Sequence, residues 1–561
     1  MRVKKLDTAF RIDYSKRVKN KYELPPISDA EKTPLVEALM LIIEQQAHAI
    51  QKLEEDAQHL RDEVAVLKGE KKRPEFKASK LDKETETETG SDDEDKGDDD
   101  TKEPKKRPGS SKRKKTQTLI IHHKETIQPD CVLPDDATFK CYRTYTVQDL
   151  KITPHNICYQ LAIWETPDGK TFSGRAPQGG HFGGTIKSYI LYQYHHCQVT
   201  QPLLLEQLHE WGIDISSGQI NNILLKEKEK EFTQEKEDLL STALEVSDFI
   251  TVDDSGARHK GKNGYVTHIG NQHFAWFRST GSKSRINFLE LLRAGQTDYY
   301  LSDESYLYMT QAKLPNKMLC KLQGHAQSIF PNKDSWEAHL DKLGFKRPRH
   351  RRIATEGALI GSLLEHGFRQ DIVIVSDDAG QFNVFLHALC WVHTERLIHK
   401  LIPLNDQHRT EIQIIREQIW TLYRDLKAYQ KSPSSERENE LDTRFDAIFM
   451  QKTSYETLNQ LLKRINRNKQ ELLVVLQRPE IPLHTNGSET DIRDYVKKKK
   501  VSGGTRSDDG RRCRDTFASL KKTCRKLKIS FWEFLNDRVL NINLIPPLAE
   551  IVRQKLVNKT A

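Results

Sequence analysis

Two apolar segments of the sequence each end in a pair of aspartates with a glycine close behind. The first is DFITVDDSG at 248–256, which contains Asp253 and Asp254, and the second is DIVIVSDDAGQF at 371–382, which contains Asp377 and Asp378. One such pair alone would indicate a surface turn, because aspartate is common where strands end. Two pairs favour a metal site, since carboxylate oxygens are the ligands that Mg²⁺ prefers.

A third acid follows in the segment IPLHTNGSETDIRDYVKKKK at 481–500. Residues 486–488 (NGS) predict a turn and cap, which would place Glu489 in the first turn of a helix. Phosphoryl transfer benefits from two divalent ions about 4 Å apart, and three carboxylates can hold such a pair. We therefore nominate three catalytic and metal-binding acids, with Mg²⁺ or Mn²⁺ as cofactor: Asp253, Asp377 and Glu489. Their neighbours Asp254 and Asp378 are interpreted as supporting or structural acids.

The elements that must position these acids follow from the surrounding patterns. The first acidic strand precedes two more apolar strands, GYVTHIG at 264–270 and HFAWFRSTG at 273–281, and then the helical pattern SRINFLELL. Three antiparallel strands followed by a helix, with an acid on the first strand, are typical of the start of an RNase H-like domain. The sequence thus predicts an α/β fold with an RNase H-like core, and residues 245–395 form the first part of that core.

The second and third acids are 112 residues apart (489 − 377), which is long for a minimal core of this kind. Helical patterns such as IQIIREQIWTLYRDL fill much of that interval. We therefore predict an all-α insertion at 396–482, followed by the last catalytic helix and a basic C-terminal region at 483–540.

The segment 493–526 contains thirteen Lys or Arg against four Asp. Glycines and small residues among these cations would let the backbone approach phosphates closely. The alternative is a solvated surface without a partner. Candidate DNA-contacting residues are Arg493, Lys497, Lys498, Lys499, Lys500, Arg506, Arg511 and Arg512.

Residues 199–235 predict a helix-turn-helix. QPLLLEQLHE is followed by a tight turn at Trp211 and Gly212, and a second helix begins after a cap at Ser216 or Ser217. Four residues are expected to form the buried contacts: Leu204, Leu208, Ile220 and Leu224. Such a pair either binds DNA or is ordinary helix packing, and Gln219 and Asn221 on the second helix are the candidates for reading bases.

The regions before the helix-turn-helix differ strongly in composition. Apolar residues three and four apart between Leu39 and Leu67 predict a coiled-coil helix at 30–70 and hence a homo-oligomer, although packing on the chain's own domain is an alternative. The opposite-sign charge blocks at 71–117 predict a disordered linker. Short alternating segments with Pro and Gly breaks predict a small β-rich module at 118–198.

The net charge also points to a polyanion. The chain carries +9, and residues 82–104 carry twelve acidic and three basic side chains, so the remainder carries +18. A body this basic fits a nucleic-acid partner, or else a surface that only keeps the protein in solution.

No apolar run is long enough to span a bilayer and the N-terminus has no signal-peptide pattern, so we expect a cytoplasmic protein. The eight scattered cysteines are expected to be reduced thiols.

Several of these segments together resemble one family. FITVDDSG, IVSDDAGQF, ALCWVHTER and especially LHTNGSETDIR followed by SGGTRSDDGR are similar to the insertion-sequence-66 type of bacterial DDE transposase, along nearly the whole chain. The resemblance implies that Asp253, Asp377 and Glu489 are the family's three acids in order. It also implies an RNase H-like fold with a helical insertion, and a nucleoid-associated enzyme that acts on insertion-sequence ends and target DNA.

The resemblance further implies that Cys390 and His393 match a C-x-x-H element near the active site. We interpret this pair as structural or supporting, because tetrahedral zinc needs four ligands and no second pair is apparent. Many relatives carry a four-cysteine zinc module, whereas the equivalent stretch here has only Cys131 and Cys141, so no zinc is expected. The alternatives to a transposase are a catalytically inactive DNA-binding protein and a nuclease that cuts DNA without joining it.

Overall fold

The computed structural model describes residues 120–130, 134, 137–175 and 180–557, together with nine positions between 33 and 53. The chain divides into two compact units, one of residues 86–157 and one of residues 1–85 with 158–561. In the first unit the described residues form neither helix nor strand, and all are exposed. The linker predicted at 71–117 lies outside the described residues.

Part of the predicted coiled-coil segment belongs to the described residues of the larger unit. Described positions from Val36 to Leu53 are helical, and their large apolar side chains Leu39, Ile43, Ile50 and Leu53 are exposed. Most of 30–70, including Leu60, Val64 and Leu67, lies outside the described residues. Pairing with a second helix therefore stays a prediction.

The region predicted as β-rich contains less strand than its pattern indicated. Among the described residues of 118–198, one short hairpin forms between β1 (Ile163–Glu165) and β2 (Thr171–Ser173). Residues Gly184–His195 form helix α1 instead. An alternating segment forms a strand only where another strand can pair with it, and the alternation at 158–162 has no such partner among the described residues.

The larger unit is built around a five-stranded mixed sheet. Its strands are β3 (Phe249–Gly256), β4 (Tyr265–Gly270), β5 (Ala275–Thr280), β8 (Val373–Ser376) and β9 (Leu386–Leu389), and their order is β5-β4-β3-β8-β9. The first three pair antiparallel, whereas β3, β8 and β9 are parallel. The inner strands are rich in Ile and Val because both faces are covered by other elements.

Helices cover the sheet and extend the unit at both ends of the chain. Before β3 lie α2 (Gln201–Glu210), α3 (Ser217–Leu225) and α4 (Glu229–Val246). After the last strand come α16 (Asn486–Ser502), α17 (Asp508–Lys526), α18 (Phe531–Val539) and α19 (Leu548–Val557). No helix in the described part of the chain has the length and apolarity needed to cross a membrane.

Two helical regions interrupt the sheet. Between β5 and β8 the chain forms α5 (Arg285–Leu292), β6 (Tyr299–Tyr300), α6 (Asp303–Gln311), α7 (Asn316–Gln323), β7 (Ile329–Phe330), α8 (Lys333–Lys342) and α9 (Pro348–Glu365). Of these elements, only α5 was predicted from the sequence, by the helical pattern SRINFLELL. The others pack into the main core through α9, most of whose length is buried.

The second helical region coincides with the predicted all-α insertion. It contains α10 (Trp391–His399), α11 (Asp406–Lys431), α12 (Ser435–Phe449), α13 (Glu456–Arg467), α14 (Lys469–Leu472) and α15 (Val474–Gln477). These helices enclose a hydrophobic core of their own, separate from that of the sheet and centred on residues such as Leu422, Leu426 and Phe445. The chain then returns to the sheet through α16, which carries the third predicted acid.

Candidate active site

The first two predicted acids lie at the ends of neighbouring parallel strands, Asp253 on β3 and Asp377 directly after β8. Thr251 and Val375 are the last paired residues of these strands, and the same register extended by two residues sets Asp253 opposite Asp377. The charge of Asp377 also raises the pKa of Asp253, which agrees with their proximity. Neighbouring strands are about 4.8 Å apart, and side chains at the same level point to the same face. The register therefore brings these two carboxylates together.

The third acid reaches the same face from helix α16. Ser488 donates a hydrogen bond of 2.6 Å to the hydroxyl of Thr251, which lies on the same face of β3 as Asp253. Glu489 follows Ser488 in the first turn of the helix. The turn and cap predicted at 486–488 are themselves helical, and Ser488 binds the sheet instead of capping the helix.

The electrostatics of Asp253 reflect this convergence. Burial, together with the charges of Asp377 and Glu489, raises the pKa of its carboxyl to about 7, against the opposing effects of the Asp254 N–H group and of the charge on His393. Burial and the neighbouring acids therefore outweigh the positive charge of His393 at this carboxyl.

Basic side chains hold Glu489. Its Oε1 atom accepts a hydrogen bond of 2.9 Å from Arg396 and lies 3.4 Å from Nε2 of His393, while Arg493 lies 3.4 Å from Oε2. Burial lowers the pKa of His393, but the interaction with Cys390 and the charge of Glu489 outweigh it and raise that pKa to about 9. His393 of the C-x-x-H pair therefore lies beside the third acid and interacts with Cys390, and a supporting role for the pair stays a prediction.

The second aspartate of each pair is engaged elsewhere. Asp254 follows Asp253 and therefore points to the other face of β3, where it accepts hydrogen bonds from Thr267 and from Gln381. Asp378 forms an ion pair with Arg464 of α13. Each of these carboxylates already has partners, and the supporting role of both acids stays a prediction.

The three acids fit a hard divalent cation in chemistry, although their side chains do not enclose one as they stand. Carboxylate oxygens suit Mg²⁺ or Mn²⁺, and a cation beside Asp253 would offset the effect of burial and of the neighbouring acids on its carboxylate. Within the described residues, no three acidic, histidine or cysteine side chains converge closely enough to hold a metal ion. The hydrogen bond from Arg396 to Oε1 of Glu489 is shorter than the contact with His393, and an ion bound at this oxygen would have to replace both contacts.

The predicted DNA-contacting cations of α16 do not share one environment. Lys498 is buried, and its Nζ atom donates to the Tyr194 carbonyl at 2.6 Å and lies 3.8 Å from the Tyr194 ring. Burial and the charge of Arg514 lower its pKa to about 8. Including Lys498 among the DNA-contacting residues was therefore wrong. Four consecutive helical residues span about 300° around the axis, so one of them must face the core.

The other cations of this region are at least partly accessible. Lys499 donates to the Gly256 carbonyl at 2.7 Å, and Lys497 lies 3.2 Å from Asp494. Arg511 and Arg512 form ion pairs with neighbouring acids on the first turn of α17 and, for Arg512, with Glu229. Lys500 and Arg506 are exposed and form no ion pair with a described residue, which leaves them the most available to phosphates.

The predicted helix-turn-helix corresponds to α2 and α3. Leu204, Leu208, Ile220 and Leu224 are all buried as expected. The turn uses Gly212 with φ of 74°, and the hydroxyl of Ser216 caps α3 by accepting from the Gln219 N–H group. A helix pair of this form occurs both in DNA-binding and in ordinary packing.

The two residues proposed to read bases differ in their availability. The Gln219 amide donates to Glu227 at 3.3 Å, and Glu227 also forms an ion pair with Lys187. Asn221 is half-buried and forms no side-chain hydrogen bond with a described residue. Asn221 is therefore the better placed of the two.

Sequence reasoning missed Arg396 and Gln381, which contact Glu489 and Asp254. The signal for Arg396 was present, because it follows His393 by three residues and so lies on the same face of α10. Gln381 lies in the loop after Asp377, and nothing in its local sequence indicates a contact with the neighbouring strand.

Comparison with known proteins identifies the family to which this chain is similar. The family model described as Transposase IS66 family matches residues 356–512, a segment that includes Asp377 and Glu489. An uncharacterized protein, y4jO, of Sinorhizobium fredii (strain NBRC 101917 / NGR234) is 44% identical over 321 residues, which cover 56% of this chain and 100% of that protein. The chain belongs to the IS66 family of transposases.

Proposed function

We propose that this chain cuts and joins DNA strands during transposition of a bacterial insertion sequence, using Asp253, Asp377 and Glu489 to hold two divalent metal ions. The observation that supports this most directly is the parallel register of β3 and β8, which sets two acids side by side beneath the helix that carries the third. The strand order β5-β4-β3-β8-β9 and its antiparallel-then-parallel pairing support the RNase H-like core that this proposal assumes.

Each acid has a distinct part in the proposed site. When bound, a pair of Mg²⁺ or Mn²⁺ ions activates the attacking oxygen and stabilises the leaving oxygen of a phosphodiester. Asp253 and Asp377 supply oxygens from the rigid sheet. Glu489 completes the set after its carboxylate leaves Arg396, which is then available to a phosphate of the DNA.

The remaining cations and helices would hold the DNA. Lys500 and Arg506 follow Glu489 along the chain, so we assign them to phosphates of the strand that is cut. The helix pair α2 and α3 is assigned to recognition of the element's ends, with Asn221 as the residue closest to a base-reading role. We also propose self-association through the heptad segment at 30–70 and a cytoplasmic, nucleoid-associated location.

The test is strand transfer of a labelled element end into plasmid DNA by purified protein with Mg²⁺. Asp253→Asn, Asp377→Asn and Glu489→Gln are each expected to abolish cleavage and joining while DNA binding persists, because each removes a metal ligand at nearly constant shape. Asp378→Asn is the matched control, since Asp378 is paired with Arg464, and it should stay active.

Three other results would contradict the proposal in different ways. An active Asp253→Asn enzyme would overturn the assignment of the first acid, and Asp254 would be the next candidate. Cleavage without joining in the native chain would indicate a nuclease. Binding to element ends without any cleavage would indicate an inactive DNA-binding protein.

A further inference from the structure

Four of the five buried residues of helix α16 carry a polar group, Ile492 being the exception, whereas buried helix faces are normally apolar. Ser488, Asp491, Tyr495 and Lys498 recur at intervals of three, four and three residues, and none is more than 8% exposed. Such spacing places them in one stripe along the helix. Apolar packing tolerates small shifts, whereas buried polar groups need partners at defined distances and angles. The stripe therefore restricts how α16 can rotate or slide.

The first contact of the stripe joins the residue before Glu489 to the strand that carries Asp253. Ser488 donates to the Thr251 hydroxyl at 2.6 Å, and that hydroxyl donates in turn to the Gly270 carbonyl at 2.9 Å. Thr251 is fixed by its own hydrogen bond to the neighbouring strand. Ser488 consequently sets the height of the first turn of α16 above β3.

The second contact is a buried ion cluster around Asp491. Its carboxylate lies 2.8 Å from Nζ of Lys526, 3.5 Å from Nζ of Lys522 and 3.2 Å from Nε2 of His268. His268 is the cross-strand partner of Asp253 in the sheet. Asp491 thus ties the helix, two residues after Glu489, to the position on β4 directly beside the first acid.

The later members of the stripe bind at increasing distance from the acids. Tyr495 donates to Asp515 at 2.7 Å, and Lys498 donates to the Tyr194 carbonyl. At 1.5 Å per residue, Tyr495 lies about 9 Å along the helix from Glu489. Only the first two contacts therefore flank the third acid.

We infer that Ser488 and Asp491 are positioning residues that set the separation between Glu489 and Asp253, and so the affinity of the site for a divalent ion. The inference rests on the proposed function, in which these two acids share metal. Residues that orient metal ligands without touching the metal typically change affinity by about 10- to 100-fold when they are replaced.

The experiment is titration of Mn²⁺ into the full chain, with free Mn²⁺ measured by electron paramagnetic resonance and stability measured by thermal unfolding. Ser488→Ala and Asp491→Asn should each weaken Mn²⁺ binding by about tenfold or more. Ser488→Thr keeps a hydroxyl at this position and should retain most of the native affinity.

A matched control separates positioning from a general loss of stability. Thr355→Val removes a buried hydrogen bond of 2.9 Å from Trp336, between α8 and α9 and outside the site. This variant should lose thermal stability as Ser488→Ala does, yet bind Mn²⁺ as tightly as the native chain. If Asp491→Asn does not fold, the comparison of Ser488→Ala, Ser488→Thr and Thr355→Val decides the question alone.

Two results would overturn the inference, and they are distinguishable. Native Mn²⁺ affinity in Ser488→Ala, together with loss of binding in Glu489→Gln, would refute positioning while leaving the proposed metal site intact. Native affinity in Glu489→Gln would refute the metal-binding role of that acid, and the positioning inference with it.

Discussion

Replacing Asp253 by Asn should stabilise the metal-free protein, and the gain should depend on pH. Burial and the neighbouring acids raise the pKa of Asp253 from its ordinary 3.8 to about 7. A carboxyl whose pKa is raised by folding favours the folded state only while it is protonated. The wild type therefore loses stability as the pH rises from 3.8 to about 7, and Asn, which cannot ionise, does not.

The size of the effect follows from the same pKa values. At about 1.4 kcal/mol per pH unit, the interval from 3.8 to about 7 corresponds to at most about 4 kcal/mol at pH 8. At pH 5 only the interval from 3.8 to 5 contributes, which corresponds to between about 1 and 2 kcal/mol. The advantage of Asp253→Asn over the wild type should thus grow by about 3 kcal/mol between pH 5 and pH 8.

Urea unfolding in EDTA at both pH values, followed by tryptophan fluorescence, measures this difference. Saturating Mg²⁺ should stabilise the wild type at pH 8 but not Asp253→Asn, because the ion compensates a charge that only the wild type carries. Asp378→Asn is the control and should show no such gain. The reasoning would be refuted if Asp253→Asn were less stable than the wild type at pH 8. It would also be refuted if the difference in unfolding free energy between the two proteins were the same at pH 5 and pH 8.

Three further predictions concern the surroundings of the acids, the DNA-binding cations and the oligomer. Arg396→Gln should tighten Mn²⁺ binding in the absence of DNA, since the ion no longer competes with Arg396 for Glu489; unchanged or weaker binding in a titration would contradict this. Lys500→Gln should flatten the log-log salt dependence of DNA binding by about 0.9, whereas Lys498→Gln should leave the slope unchanged and lower the thermal midpoint. Leu53→Lys should convert the chain to a monomer, which light scattering would detect as a lower mass. An unchanged mass would indicate that the N-terminal helix packs within its own chain instead.

Several features of the candidate site were predictable because they depend on short segments. An apolar run that ends in Asp-Asp-x-Gly indicates a strand end whatever the rest of the chain does, and NGSE before an amphipathic pattern indicates the start of a helix. The same local logic identified the buried leucines and isoleucines of α2 and α3. The family resemblance, carried by such segments, agrees with the family match.

The helical regions were only partly predictable. The insertion at 396–482 has long amphipathic periods, such as that of α11, which a sequence pattern reveals. Helices α6 to α8 are short, and their apolar residues are divided between the core and the surface. Their buried apolar residues join the main hydrophobic core, which forms only when distant segments of the chain pack together.

The tertiary structure alone decided which side chain of each candidate group faces the site. Asp253 and Asp254 are equivalent in local sequence, and the choice between them depends on the register of β3 with β8, 124 residues away in the chain (377 − 253). Lys498 and Lys500 are likewise equivalent in local sequence until the chain folds and Lys498 is buried against Tyr194 of α1. The sequence by itself determined the types of element and their chemistry, because these follow from neighbouring residues. Orientation depends on contacts between segments far apart in the chain, and only the packed fold brings those together.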